Sequence, residues 1–365
     1  MSIIIAAVVA VLAVSLLAYT RQPKFGRAPG SAEFSSLAQS PSFADGRFHN
    51  PIERPVLEDR DGMIVALWKY LFNKKERLIP DTAVPSIKTD LKGLDRQLDL
   101  VIWLGHSSYF IQLAGRTILI DPVFSEYAAP VSFANRAFAG SNPYTAEDMP
   151  DLDYLLITHD HWDHLDYPTV VALRSKIKNI IVPLGVGSHF EHWGFPREMI
   201  NEGDWHSRFQ SPGLDIHVLP AQHFSGRLLT RDRTLWAAFA LVTPERKLFF
   251  SGDSGYSPHF SEIGQKFGGF DLAALDSGQY DRKWPYVHMN PEEAAQAAVD
   301  LRARAFTPAH VGKFSIANHT WDDPFIRSLA ATQNKSYRLL TPVIGQIIDL
   351  ADNELTFPRW WEGVK

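Results

Sequence analysis

Residues 153–166, DYLLITHDHWDHLD, decide the fold, because a short apolar run leads directly into the pattern His-x-His-x-Asp-His at 159–164. Residues 153–158 have the length and apolar character of a strand that is buried on both faces. A loop after such a strand can bring side chains at this spacing to one point. Imidazole nitrogen and carboxylate oxygen suit Zn²⁺, and a site without thiolates is typical of catalysis. The stretch therefore predicts a catalytic metal site.

The number of ligands predicts two metal ions rather than one. A single ion that stays open to substrate cannot use all four side chains of the pattern. Three further candidates each end a later apolar run, in LDIHVLPAQH (214–223), KLFFSGD (247–253) and AFTPAH (305–310), and they are His223, Asp253 and His310. One ion is expected to bind His159, His161 and His223, and the other to bind Asp163, His164 and His310. Asp253 is expected to bridge them, because a carboxylate has two oxygens.

Apolar runs alternate with helical segments along residues 98–350, and hairpin signals are mixed in, which predicts a layered α/β domain with mixed sheets. Hydrophobic residues make up 45% of the 365 residues and charged residues 21%, which excludes a disordered chain or a coiled coil. The net charge of −5 argues against a nucleic-acid partner. The absence of cysteine excludes disulfides, thiol catalysis and thiolate zinc sites.

The N-terminus carries a membrane signal. Residues 3–19 form a 17-residue apolar run broken only by Ser15, and the cations Arg21, Lys24 and Arg27 follow it. This charge bias predicts a transmembrane anchor over residues 1–20 with the catalytic domain on the cytoplasmic side. Export, with cleavage and periplasmic release, is the alternative.

The remaining boundaries follow from composition. Residues 21–97 are interpreted as an irregular linker and N-terminal extension, with a helix candidate at Gly62–Phe72. Residues 98–350 are interpreted as the catalytic domain, and residues 351–365 as a C-terminal tail.

The motifs resemble the metallo-β-lactamase superfamily and, more narrowly, its branch of N-acyl-phosphatidylethanolamine-hydrolysing phospholipases D (NAPE-PLD). The resemblance rests on blocks in family order that include WLGHSSYFIQ (103–112), THDHWDHLDY (158–167), LFFSGDSGY (248–256) and FDLAALDSGQYDRKW (270–284). It implies a four-layer αββα sandwich, two Zn²⁺ ions (or other divalent metals) on the seven ligands above, and hydrolysis of a membrane phospholipid. A hydroxide shared by the ions would cleave the lipid to phosphatidic acid and an N-acylethanolamine.

Further site residues are assigned by position. Asp163 is expected to act in catalysis as well as in metal binding, and His288 is the candidate proton donor to the leaving group. Asp121 and His106 are expected to lie behind the ligands and orient them. The candidates for substrate binding are Gln279, Tyr280 and Lys313.

Two other functional classes stay open at this point. The same metal site would serve a lactonase, a β-lactamase or another ester or amide hydrolase, because the ligands alone do not select the bond that is cleaved. A membrane-held metal scaffold without turnover is the third interpretation. The residues do not predict an oligomeric state.

Overall fold

The computed structural model describes residues 2–57, 76–227 and 230–365. The helix candidate at Gly62–Phe72 therefore lies outside the described residues. The described helices are α1 (Ser2–Thr20), α2 (Phe34–Leu37), α3 (Tyr167–Ala172), α4 (Gly187–His192), α5 (His259–Phe267), α6 (Pro291–Asp300) and α7 (Asp323–Ala331). Short 3₁₀ turns lie at Pro23–Phe25, Ala146–Asp148, Arg174–Lys176, Arg197–Met199 and Trp360–Gly363.

The strands form two seven-stranded sheets and a small hairpin. They are β1 (Phe43–Ala44), β2 (Arg47–Phe48), β3 (Leu100–Trp103), β4 (Tyr109–Leu113), β5 (Arg116–Ile120), β6 (Leu152–Leu156), β7 (Ile177–Pro183), β8 (Ile200–Gly203), β9 (Arg208–Ser211), β10 (Leu214–Leu219), β11 (Ala238–Val242), β12 (Lys247–Phe250), β13 (Leu272–Asp276), β14 (Ala305–Ala309), β15 (Arg338–Leu339) and β16 (Ile347–Asp349).

The two large sheets repeat one pairing plan. The first has the order β16-β3-β4-β5-β6-β7-β8, and the second has the order β9-β10-β11-β12-β13-β14-β15. In each sheet, three antiparallel pairings are followed by three parallel ones. Parallel strands need covering helices, and antiparallel strands close through short turns. The mixed α/β organisation predicted from the alternating pattern is therefore confirmed.

Three hydrophobic clusters separate four layers, in the order helices, sheet, sheet, helices. The central cluster joins the facing sides of the two sheets, with Ile111 and Phe239 among its members. The second cluster packs α3 and α4 on the outer face of the first sheet through residues such as Val170. The third packs α5 and α6 on the outer face of the second sheet through residues such as Phe260. Because both faces of both sheets are covered, their strands read as nearly continuous apolar runs.

A hairpin turn and a helix cap, which depend only on neighbouring residues, are present in the structure. Ala114 and Gly115 both have positive φ and close the β4–β5 hairpin, as the sequence predicted. Asn290 caps α6: its side chain accepts from the Glu293 amide at 3.0 Å, and the Glu293 carboxylate accepts from the Asn290 amide at 3.0 Å. These features need only neighbouring residues, so sequence alone predicts them well.

The predicted anchor forms the helix α1, whose apolar side chains from Ile4 to Leu17 are exposed. Within the described residues, no helix combines the length and the apolar character required to cross a bilayer. At 1.5 Å per residue, the 19 residues of α1 extend about 28 Å, whereas a hydrocarbon core measures about 30 Å. The prediction of a membrane-spanning anchor is therefore not supported.

The segments flanking the domain at 98–350 pack against it instead of acting as a free linker and a free tail. In the N-terminal extension, Phe25 and Phe48 are buried. At the C-terminus, Trp361 is 2% exposed and stacks on Phe325 of α7 at 5.3 Å between ring centroids. The Lys365 carbonyl also accepts from the amide of Thr82 at 3.1 Å. The described part of the extension also contains the helix α2 and the β1–β2 hairpin.

Candidate metal centre

All seven predicted ligands lie just beyond the carboxyl ends of strands, and these ends meet at one edge of the sandwich. The loop 159–164 follows β6 of the first sheet. The other three ligands follow β10, β12 and β14 of the second sheet, and they are His223, Asp253 and His310. The site is therefore built between the two sheets, with ligands from both.

Four side chains converge on a first position. The Nε2 atom of His159 lies 2.8 Å from Nδ1 of His161, and Nε2 of His223 lies 3.3 Å from the same atom. Asp253 Oδ2 is 3.7 Å from His159 Nε2 and 3.6 Å from His223 Nε2. All four atoms lie within 4.8 Å of one another, which suits one bound cation.

A second position lies on the other side of the Asp253 carboxylate. His164 Nε2 is 3.1 Å from Asp253 Oδ1 and 3.7 Å from Asp163 Oδ2. His310 Nε2 is 3.0 Å from Asp163 Oδ2 and 3.4 Å from Asp253 Oδ2. The structure thus groups the side chains in the two sets expected from the sequence, with the Asp253 carboxylate between them.

Hydrogen bonds behind the cluster fix which ring nitrogen faces the cation positions. Asp121 Oδ2 accepts from Nδ1 of His164 at 2.8 Å and from the Thr158 hydroxyl at 2.6 Å. Because that hydroxyl donates to Asp121, it accepts from Nδ1 of His159, 3.0 Å away. Nδ1 of His223 donates to the Val287 carbonyl at 2.8 Å. Each of these rings therefore presents the Nε2 lone pair to the centre.

Burial and neighbouring charges shift the ionisation of the cluster strongly. Burial lowers the pKa of His159 well below its ordinary value, and neighbouring imidazoles lower it further. Burial also opposes protonation of His164, but the carboxylates of Asp253 and Asp163 raise its pKa well above the ordinary value. For His310, burial is likewise outweighed by Asp253, and the pKa is raised to about 10. Imidazolium protons thus balance the buried carboxylates when only protein groups are present.

The donor set fits two divalent cations. Two of the cluster atoms, His164 Nε2 and Asp253 Oδ1, are buried and lie 3.1 Å apart, but neither makes a hydrogen bond of good geometry within the described part of the chain. Buried polar atoms without a well-aligned hydrogen bond are costly, and a cation between them would satisfy both. The mixture of imidazole nitrogen and carboxylate oxygen suits zinc and other borderline divalent metals. Cations at these positions would also take over the charge balance from the imidazolium protons.

Asp121 lies behind the ligand rings, whereas His106 faces the second position itself, because its ring nitrogen lies within 4.8 Å of the ligand atoms of Asp163, His164 and His310. His106 is fully buried, and its Nε2 lies 2.9 Å from Asp163 Oδ2. Burial lowers the pKa of His106 to about 3, so the ring is neutral. A neutral ring that donates from Nε2 leaves the second oxygen of Asp163 free for other partners.

His288 lies beside the cluster, paired with a carboxylate that the sequence analysis missed. Its Nδ1 donates to Oδ2 of Asp276 at 2.8 Å, and the ring lies 4.9 Å from that of His310. Asp276 is fully buried, and its Oδ1 faces Nδ1 of His310 at 3.5 Å. The signal was available, because Asp276 ends a buried strand as Asp121 does.

Asn50 of the N-terminal extension is a second missed residue. Its Nδ2 donates to the His223 carbonyl at 2.7 Å, and its Oδ1 accepts from the His223 amide at 3.1 Å. The same Oδ1 accepts from Nε1 of Trp236 at 3.1 Å. This contact joins residues 173 positions apart, so no local pattern indicates it.

The three residues predicted to bind substrate have other partners. The amide nitrogen of Gln279 donates to two backbone carbonyls, and its oxygen accepts from the amides of residues 316 and 317. The Tyr280 hydroxyl donates to Asp323, and its ring stacks on His319 at 4.5 Å. Nζ of Lys313 is fully buried and donates to the Val123 carbonyl at 2.7 Å. Among the described residues, these contacts hold the three side chains against loops of the domain.

Comparison with known proteins places this architecture in a family. The model of the β-lactamase superfamily domain matches residues 116–311. An uncharacterised protein of Mycobacterium tuberculosis is 37% identical over 329 residues, covering 88% of each chain. N-acyl-phosphatidylethanolamine-hydrolyzing phospholipase D 1 of Caenorhabditis elegans is 35% identical over 272 residues, covering 67% of this chain and 76% of that protein.

A solved structure supports the fold. Igni18, a metallo hydrolase from Ignicoccus hospitalis, is 20% identical and superposes with a TM-score of 0.53, covering 68% of this chain and 97% of that chain. The expected mixed α/β fold, the two ligand sets and these matches agree. The chain therefore belongs to the metallo-β-lactamase superfamily, as a metal-dependent hydrolase related to the N-acyl-phosphatidylethanolamine-hydrolysing phospholipases D.

Proposed function

We propose that the protein is a phosphodiesterase of the phospholipase D type, which hydrolyses an N-acyl-phosphatidylethanolamine-like lipid to phosphatidic acid and an N-acylethanolamine. The observation that carries the proposal is the convergence of two His/Asp sets on one carboxylate, Asp253, in a chain 35% identical to a nematode enzyme with this activity in its name. Two cations on one shared carboxylate are suited to displacement at phosphorus.

The chain's own residues divide the work between binding and proton transfer. Two Zn²⁺ ions, or other divalent metals, would supply Lewis acidity and lower the pKa of water at the site. Asp121, through Thr158 and His164, holds the ligand rings in one tautomer. Nδ1 of His288 is committed to Asp276, so a doubly protonated His288 ring would give its Nε2 proton to the leaving ethanolamine oxygen and become neutral.

We further propose that α1 contacts the membrane in which the substrate resides. Its side chains are apolar around the whole helix, and Leu12 and Leu16 are each 64% exposed. Lys24, just after the helix, donates to the Pro130 carbonyl at 2.7 Å, and Phe25 packs edge-on against Trp162 of the ligand loop at 5.3 Å. Lipid contact through α1 would therefore bring the bilayer close to the metal loop. The side of the membrane stays a prediction.

Activity of the zinc-loaded protein tests the reaction. On vesicles containing N-acyl-phosphatidylethanolamine, we expect phosphatidic acid and N-acylethanolamine in equal amounts, measured by mass spectrometry. His161→Ala should abolish turnover, because it removes one ligand from the first position. A wild-type protein that opens lactones or β-lactams but leaves the phosphodiester intact would replace this proposal with the ester or amide hydrolase alternative. Absence of any turnover would favour the metal scaffold.

Vesicle sedimentation tests the membrane contact separately. The variant Leu12→Arg/Leu16→Arg places two positive charges on the surface of α1. It should no longer bind vesicles, because burying an arginine in lipid is costly. Hydrolysis of a water-soluble phosphodiester should be unchanged in this variant. Equal sedimentation of wild type and variant would contradict the role of α1.

A further inference from the structure

A cavity of about 390 Å³ opens beside the metal ligand His223. One wall comes from the domain, through Phe224 and Trp236 next to that ligand. The other wall comes from residues 47–56 of the N-terminal extension, which the sequence analysis treated as a linker. The cavity therefore lies between the metal ligand His223 and the N-terminal extension, which is outside the residues 116–311 that match the family.

The extension is fixed in place on the ligand-bearing segment. Asn50 forms the paired backbone contacts to His223 described above. Two residues later, the Ile52 carbonyl accepts from Nε2 of Gln222 at 2.9 Å. These bonds tie both sides of the cavity together, so the residues that follow Ile52 have a defined position relative to the metals.

The cavity lining contains two arginines, Arg47 and Arg54. Burial raises the pKa of Asp232, and the charges of Arg231 and Arg47 oppose that rise, so Arg47 has an acidic neighbour. Asp232 also pairs with Arg231 at 3.3 Å, and the other acidic lining residue, Glu53, is 2.8 Å from Nδ1 of His49. Among the described residues, the Arg54 guanidinium forms no ion pair or hydrogen bond, and it stacks on the Tyr286 ring at 4.7 Å. Arg54 is therefore the cation of the lining whose N–H donors are free.

We propose that this cavity is the subsite for the anionic phosphodiester group of the substrate, and that Arg54 is its specificity-determining residue. The proposal rests on the proposed function for the identity of the substrate. A planar guanidinium recognises phosphate oxygens through paired N–H donors. Stacking on Tyr286, two residues before His288, holds the Arg54 guanidinium in place. Phe224, half-buried in the same lining, offers apolar surface to the rest of the lipid headgroup region.

Binding measurements on the zinc-loaded full chain test the subsite without turnover. Isothermal titration calorimetry measures the affinity for diethyl phosphate. We expect Arg54→Gln to bind this anion about tenfold more weakly than the wild type, which is the effect of losing one charge-assisted hydrogen bond. Arg54→Lys should recover part of the affinity, because the charge is kept. Neutral triethyl phosphate should bind wild type and Arg54→Gln equally.

Arg233→Gln is the matched control. Arg233 stacks on Phe34 at 5.8 Å, forms no ion pair among the described residues and does not line the cavity, so its loss removes the same charge from the same region. Its affinity for diethyl phosphate should stay within about twofold of wild type. Equal weakening by both substitutions would reduce Arg54 to a general electrostatic effect and overturn the proposal.

The binding and the lipid assays fail independently. Undiminished binding of diethyl phosphate by Arg54→Gln, or no binding by wild type, would overturn the subsite even if wild type hydrolysed the lipid. Weakened binding in a protein that cleaves no phosphodiester would leave an anion subsite and reject the proposed function. In the lipid assay, the KM of Arg54→Gln should be higher than that of the wild type.

Discussion

Thr158 controls two ligand rings although it touches neither cation position. Its hydroxyl donates to Asp121 and accepts from His159, while the same Asp121 oxygen accepts from His164. One carboxylate and one hydroxyl thus set the tautomer of two ligands that belong to different cation positions. The two ion affinities are therefore coupled through groups that carry no metal.

Asp121→Asn should weaken metal binding without unfolding the protein. Oδ1 of Asp121 accepts from the Thr158 amide at 2.8 Å, while Oδ2 accepts from the Thr158 hydroxyl and from His164. An amide NH₂ in place of either oxygen would face one of these donors instead of accepting from it. Loss of such a partner typically costs about 10- to 100-fold in metal affinity. Competition with a zinc chelator measures the effect. Asp153→Asn is the control, because Asp153 is also a buried carboxylate near the β5–β6 pair but bonds to Thr117 and Lys178. Equal losses in both variants would contradict the orienting role.

Lys313 gives the folded state a pH dependence of defined sign. Its ammonium is fully buried among neutral acceptors, the Val123 carbonyl and the Asn142 side chain, and burial lowers its pKa to about 7. Below pH 7 the lysine is protonated in both the folded and the unfolded chain, so folding bears the full cost of burying the ammonium. Between pH 7 and about 10.5 the unfolded chain binds more protons, so stability rises with pH.

Lys313→Met should remove this rise. Urea unfolding of the wild type relative to the variant, repeated from pH 7 to 10, should show the stability of the wild type increasing with pH toward that of the variant. A constant difference across this range would show that the folded protein keeps the lysine protonated.

At the scale of elements, the ligands depend on sharp turns at strand ends. Gly252, between β12 and Asp253, has φ +57°, and a Cβ placed there would lie 2.8 Å from the Thr158 Cβ and 2.9 Å from the Ala237 carbonyl oxygen. A glycine before a strand-ending aspartate is a local signal, so a turn of this kind can be recognised in a sequence. For Gln279 and Lys313 the sequence gives the positions but not the directions of the side chains, and the structure holds both against neighbouring loops.

Gly252→Ala should displace Asp253 as well as strain the backbone. The methyl group must push apart the β6 and β12 ends, so both the free energy of unfolding and the number of bound zinc ions should fall. Gly213→Ala is the matched control, because Gly213 has φ +79° with nothing within 4 Å of its Cβ position. That control should cost only about 1–2 kcal/mol for the left-handed backbone and keep both ions. Full metal content in Gly252→Ala would contradict the argument.

At the scale of the whole molecule, the sequence predicted the αββα domain better than the N-terminal extension and the C-terminal tail that pack on it. The catalytic loop, the strand-end ligands and the α6 cap are local or repeated patterns, so they were recognisable. The contacts of Asn50 with His223 and of Trp361 with Phe325 join distant segments and follow only from the folded topology. The termini therefore appeared to be a linker and a tail, although both are part of the folded unit.

Trp361→Ala should show that the C-terminal tail stabilises the whole domain. The indole is 2% exposed in the cluster between the two sheets, and removing such a side chain typically costs about 3–5 kcal/mol. Urea unfolding should give a loss of this size in a single transition. Phe133→Ala is the comparison, because Phe133 is 86% exposed and its removal should be nearly neutral. A neutral Trp361→Ala would mean that the tail is not part of the cooperative unit.

The division of the ligands between the two sheets has a mechanical consequence. The loop after β6 belongs to one half of the sandwich, whereas His223, Asp253 and His310 belong to the other. Neither half alone could hold a complete pair of cations. Ions bound between the two sheets would act as a cross-link between the halves. Loss of either ion would therefore weaken the same interface on which the chemistry depends.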